Sequence, residues 1–182
     1  SGVTVFKWRK EIVEFGEPTL PTQVWVLTRA ESALQPIEPG TTVQEDIQFT
    51  KSLLRGKTVL GVANTCLDPA FYGLDDGTAT VRYFQGSLNE LAPAVIYEEA
   101  EATLLDVPDA MVALKKWPGK IKVLGPISPP QVMAPAFARD SDGLRKAFGR
   151  YLQEIKDNGT YRSLISTYFP SIFQYFPGFF AP

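Results

Sequence analysis

Histidine is absent from the 182 residues, and cysteine occurs once, at Cys66. The first absence removes Ser–His and Cys–His catalysis, the commonest proton shuttle, and most zinc and iron sites. The second excludes an intrachain disulfide, so cysteine usage leaves the redox compartment unreadable. No run approaches the roughly 18 consecutive apolar residues that a membrane-spanning helix needs. A basic excess is missing too, since 18 Lys and Arg stand against 20 Asp and Glu. A nucleic-acid binder, or a protein of anionic membrane surfaces, would carry a basic stripe. No leader precedes Ser1, so a secreted protein is expected here in mature or trimmed form. Carboxylates or lysine still permit an enzyme, but these absences favour binding over chemistry. No cofactor and no metal ion is expected.

What is present is ordinary globular composition, 45% hydrophobic and 21% charged. That suffices for one large domain or two small lobes with a real core. The opening residues alternate, Val3 and Val5 against Thr4 and Phe6, which reads as a strand. It begins with no cap or turn before it, as if the chain entered partway through a domain. Pro18 and Pro21 break any helix, and residues 24–27 (VWVL) read as a buried strand. A Pro/Gly connector at 35–42 leads into a short helix over 43–54.

From Gly56 onward strands alternate with helices. Strands are expected at 57–63, 80–84, 102–105 and 120–124, with a helical turn starting at Asn64. Ser87 and Glu90 make a capping box for a helix into Val95 and Ile96. Asp106 caps a helix that has Pro108 in its first turn and ends at Trp117-Pro118-Gly119. Beyond a Pro-rich crossing come a strand near 133–139 and an amphipathic helix. Leu144, Phe148, Tyr151, Leu152 and Ile155 share one face of that helix, which stops at Asp157-Asn158-Gly159. A second helix follows near 161–168. The alternation implies an open, largely parallel α/β sheet.

Several motifs have plain explanations. RGKT at 55–58 imitates a phosphate loop, but Lys51 stands where the first glycine belongs and a strand follows where a helix is needed. The sequon Asn158-Gly159-Thr160 is accounted for by the helix-ending turn. The EEAE run at 98–101 reads as a solvated face. The tail aromatics Phe169, Phe173, Tyr175, Phe176, Phe179 and Phe180 are expected to dock onto the body rather than bind ligand. Trp8, Trp25 and Trp117 read as core or rim.

Asp106 stands apart. An acid at the carboxyl end of a strand, just before a helix, sits where open α/β sheets place ligands, although composition alone favours a simple cap. Asn64-Thr65-Cys66 holds the equivalent place one strand earlier, where free N–H groups attract an anion and plain capping is again the alternative.

The succession LLRGKTVLGVANTCLDP, ATLLDVPDAMVAL, KIKVLGP and LRKAFGRYLQEIKDNGTYRSLISTYFP resembles the family 3 extracellular solute-binding proteins. These are the two-lobed, type II periplasmic binding proteins of ABC importers. The DNGTY ending is the most specific piece, and WRKEIVEF at the front resembles the family's Arg-containing turn. The resemblance implies an α/β, two-lobed fold with lobe 1 incomplete in this chain, because the family's first strand–helix–strand–helix section has no counterpart. Lobe 2 would comprise residues 23–131, and residues 1–22 and 132–182 would be the remainder of lobe 1. A two-stranded hinge is implied near 22–24 and 126–131.

By the same resemblance Arg9 falls on the clamp for the ligand carboxylate and Thr4 on a hydroxyl contact beside it. Thr65 and Cys66, preceded by Asn64, fall on an anion-facing helix start. Asp106 falls on the acid that takes the ligand's amino group, which makes it more than a cap. An Arg fork and an Asp on opposite walls form a zwitterion clamp. Cys66 stands where a hydroxyl residue is usual and Asn64 where glycine is usual, so the anion end is expected to be altered.

The implied function is periplasmic or extracellular capture of an amino acid or similar small polar carboxylate, by lobe closure. Docking to the membrane permease of an ABC importer would follow, with no chemistry on the ligand and no nucleic acid. Three rivals share the fold: a receptor's ligand-sensing domain, a dehydratase-like enzyme, and a periplasmic accessory protein with a vestigial cleft. Bare sheet edges and an uncovered helix face in lobe 1 also imply self-association of this chain.

Overall fold

Three short strands open the chain in the computed structural model, which describes Gly2–Phe180. They are β1 (Val3–Thr4), β2 (Glu14–Phe15) and β3 (Leu20–Thr22). Between the first two, a 3-10 turn spans Trp8–Glu11. In β1 it is Thr4 that is buried and Val3 that is exposed.

The middle of the chain, Gln23–Pro129, forms one compact unit, and the two flanking stretches together form another. The middle unit begins with β4 (Val24–Arg29), whose apolar run explains its burial. Helix α1 (Val43–Leu53) starts at Thr42, whose hydroxyl accepts from the Glu45 N–H while Glu45 accepts from the Thr42 N–H. Then follow β5 (Thr58–Gly61), β6 (Thr80–Tyr83), α2 (Leu91–Ile96), β7 (Ala102–Asp106), α3 (Val107–Lys116) and β8 (Ile121–Pro126). The Ser87–Glu90 box is present, but it opens a 3-10 turn over Leu88–Glu90 that precedes α2.

The five strands pair in the order β6-β5-β7-β4-β8. Strand β5 is parallel to both neighbours, whereas β4 is antiparallel to β7 and to β8. The expectation of a largely parallel sheet is therefore corrected at β4. The reason is connectivity. The chain enters the unit into β4 and leaves it from β8, with Trp25 opposite Pro126, so entrance and exit share one edge and the two strands must oppose. Val24, Val26, Leu104, Leu91 and Leu124 lie in the core beneath this sheet.

The flanking unit is wholly antiparallel. The expected strand near 133–139 is two strands, β9 (Gln131–Ala134) and β10 (Ala136–Phe137), interrupted at Pro135, which has no N–H for a ladder. Strand β9 lies between β1 and β3, with Met133 opposite both Thr4 and Leu20. Strand β10 pairs with β2. Helices α4 (Asp142–Asp157), α5 (Thr160–Tyr168) and α6 (Ile172–Tyr175) complete the unit. Of the apolar stripe on α4 only Leu152 is buried, while Leu144 and Tyr151 are exposed. The aromatic tail docks through Phe176, which is buried, and Phe180, whose ring lies 4.5 Å from that of Phe173. Tyr175 departs from that expectation and is exposed. Among the described residues, no helix is long and apolar enough to cross a membrane.

Candidate functional site

Strands β5 and β7 run parallel and adjacent, so Gly61 and Asp106 end at the same edge of the sheet. Asp106 closes β7 and caps α3, accepting from the Asp109 N–H at 3.1 Å. The cap reading and the site reading thus fall on one side chain. The residue is only 6% exposed. Burial pushes its carboxyl up to about 6; the neighbouring Asp109 charge adds to the rise and the Asp109 N–H opposes it. No cation pairs with it among the described residues. A buried acid without a counter-charge is suited to receive a ligand ammonium.

The loop after β5 differs from the expected helix start. Residues 64–67 form a turn, and the first helix is a 3-10 segment, Pro69–Tyr72, capped by Asp68. The Thr65 hydroxyl is used within the turn, donating to the Val62 carbonyl at 2.8 Å and accepting from the Leu67 N–H at 3.0 Å. Cys66 is half-buried, and its carbonyl accepts from the Tyr72 hydroxyl. Asn64 takes a φ of 60°, the left-handed region that glycine or Asn adopts most readily. That is a physical reason for Asn where the resemblance has glycine.

The carboxylate that the loop holds is its own. Asp68, 7% exposed, accepts from the Asn64 N–H at 2.9 Å, the Ala70 N–H at 3.1 Å and the Tyr83 hydroxyl at 3.2 Å. Asp68 thus takes the N–H groups of Asn64 and Ala70 in the loop that includes Thr65 and Cys66. The sequence signal for this cap is an acid directly before Pro at a helix start.

In the flanking unit Thr4 and Arg9 do come together. Arg9 Nη1 donates to the Thr4 carbonyl at 2.9 Å. Its guanidinium lies over the rings of Phe6 and Trp8, 5.1 Å from each centroid. Those rings are 12° from parallel, so they hold the cation between a strand end and the following turn. No acid pairs with Arg9 among the described residues. The Thr4 hydroxyl is buried without a hydrogen-bond partner among them, as are Thr22 Oγ1 and Gln131 Oε1, which oppose each other across β3 and β9. Thr22 and Gln131 escaped the sequence reading because only strand pairing brings them together, and Phe6 was read there only as part of a strand. No group of three or more metal-ligating side chains converges among the described residues.

The fold is the two-lobed α/β fold of the periplasmic binding proteins, represented in part by this chain. More particularly, residues 1–171 match the bacterial extracellular solute-binding proteins, family 3, and the chain belongs to that family. Among solved structures, a mutant of ArgBP from T. maritima is similar at 23% identity and a TM-score of 0.75, covering 93% of this chain and 67% of that one. An ancestral arginine-binding protein bound to arginine is 18% identical, with a TM-score of 0.75 and coverages of 92% and 69%. The GluR0 ligand-binding core from Nostoc punctiforme, in complex with (L)-glutamate, is 21% identical, with a TM-score of 0.71 and coverages of 93% and 71%. The chain thus spans about two thirds of the length of these structures. None of the curated proteins compared with it is a match.

Proposed function

We propose that this chain is the solute-binding component of an ABC importer, periplasmic or extracellular, which captures an amino acid or similar small polar carboxylate by lobe closure. The middle unit serves as lobe 2, the flanking unit as the remainder of lobe 1, and the two crossings at Thr22–Gln23 and Pro129–Pro130 as the hinge. A membrane permease then receives the loaded protein. The observation that carries the reading is Asp106, a buried acid at the carboxyl edge of a sheet with no cation paired to it among the described residues. In this reading Asp106 takes the ligand ammonium, and the Arg9 fork takes the carboxylate with the Thr4 hydroxyl beside it. No bond of the ligand is made or broken. Arginine and glutamate in similar structures support the ligand class.

A thermal-shift screen of amino acids and simple organic acids, followed by calorimetry, tests this. Asp106→Asn is expected to weaken amine-bearing ligands more than simple carboxylic acids. Equal losses for both classes would leave Asp106 as a helix cap alone.

A further inference from the structure

We propose that the flanking unit carries a second binding pocket, separate from the residues assigned to amino-acid capture, for a small aromatic carboxylate. The end of α4, the start of α5, Pro18 and the tail residues Phe179 and Phe180 line a half-open cleft of about 610 Å³. Ligand sites typically measure about 300–1,000 Å³. Its apolar walls are rings. Phe180 is tilted 31° to Tyr161, with centroids 6.5 Å apart, and meets Phe179 edge-on at 5.0 Å.

Two cations line the same space. Lys156 Nζ lies 5.6 Å from the Tyr161 ring centroid, and the Arg162 guanidinium lies 4.9 Å from that of Phe173. Neither has an acid partner among the described residues. The one acid in the lining, Asp157, already accepts from the Gln153 side-chain amide at 2.7 Å. Helix α5 begins at Thr160, and the partial positive charge of its first turn adds to that of the two side chains. Tyr161 supplies a ring face and no negative charge. Its hydroxyl donates to the Thr19 carbonyl at 2.6 Å, and burial pushes its pKa up to about 12. Ring walls with two unpaired cations fit a flat, apolar body bearing one anionic group, whose carboxylate pairs with the Arg162 fork while its ring stacks on Phe180. The lining sets two cations against its one acid, Asp157, which favours an anionic ligand over an ammonium.

The test titrates the 182-residue chain with 1-naphthoate, 1-naphthylmethanol and 1-naphthylmethylamine, three probes that share a ring and differ in charge. Saturation-transfer NMR reads binding, and calorimetry reads affinity. The carboxylate is expected to bind at least about tenfold more tightly than the alcohol or the amine, as a charge-assisted pair implies. Lys156→Gln with Arg162→Gln is expected to erase that preference, while Arg9→Ala leaves it in place. Both cations are exposed, so their replacement leaves the core untouched. Equal affinity for the three probes, no binding at millimolar concentration, or a preference that survives the double substitution would each overturn the proposal. The probe comparison on the unaltered chain stands even without the variants.

Discussion

At the residue scale, Asp106 carries a pH signature. Its carboxyl is pushed up to about 6 by burial, whereas in the unfolded chain an aspartate ionises near ~3.9. Between those values the folded state holds the extra proton, so stability contributed by this group is present at low pH and falls as pH rises through the window. The difference corresponds to about 2–3 kcal/mol. Urea denaturation at pH 4 and pH 6.5 is expected to show that loss as a change in the stability of the parent chain relative to Asp106→Asn between the two pH values. An amine ligand reverses the preference by favouring the charged carboxylate. Its affinity is expected to hold above about pH 6 and to fall roughly tenfold per unit below it. Binding that ignores pH in that range would place the amine elsewhere.

Arg9 is legible in the sequence as a charge and in the structure as a held charge. Removing it in Arg9→Ala is expected to cost about 1 kcal/mol of stability, from one hydrogen bond and two ring contacts at a half-buried site. The loss in ligand affinity is expected to be larger, about 2–5 kcal/mol. Calorimetry on a variant whose circular dichroism is unchanged separates the two, and an unaltered affinity would remove Arg9 from the site.

At the element scale, the turn after β5 depends on a close backbone approach. A Cβ at Gly61 would lie 2.2 Å from Pro69 Cδ and 2.5 Å from the Leu67 carbonyl oxygen. Gly61→Ala must therefore displace the loop that holds Asp68, and a loss on the order of 1–3 kcal/mol is expected. Gly149, within α4, has nothing within 4 Å of the same position. Gly149→Ala is expected to stabilise by about 0.5–1 kcal/mol, because alanine loses less backbone freedom in a helix. Urea midpoints that moved in the same direction for both variants would contradict this account of the turn. The Ser87–Glu90 capping box and the Asp106–Pro108 helix start were readable because each spans only three or four residues. The loop over 62–70 was not, because its shape follows from Asp68 reaching back to Asn64 and across to Tyr83.

At the scale of the whole molecule, the two units differ in how much they bury. The middle unit has a continuous core, whereas Leu152, Ile165, Ile172 and Phe176 are the larger side chains buried among the helices and tail of the flanking unit. There Ile12, Leu144, Tyr151 and Tyr168 are each more than half exposed. Strands β1 and β3 both end their sheet. Apolar surface and open edges of this kind pair with other chains. The 182-residue chain is expected to self-associate at micromolar concentration and to bind amino acids weakly. Sedimentation velocity showing a monomer throughout that range, with tight amino-acid binding, would contradict the expectation.

The sequence by itself determined what short-range chemistry decides. Apolar runs marked β4 and β7, Asp106 before Pro108 marked the start of α3, and the DNGTY ending marked the family. These signals act over a few residues, where side-chain periodicity and capping hydrogen bonds are complete without the rest of the chain. Only the tertiary structure decided that β4 opposes its neighbours, that the Tyr83 hydroxyl reaches Asp68, and that Asp106 is buried with no cation paired to it among the described residues. Each of those depends on a partner distant in sequence or on desolvation by surrounding elements, and neither is encoded in any local pattern.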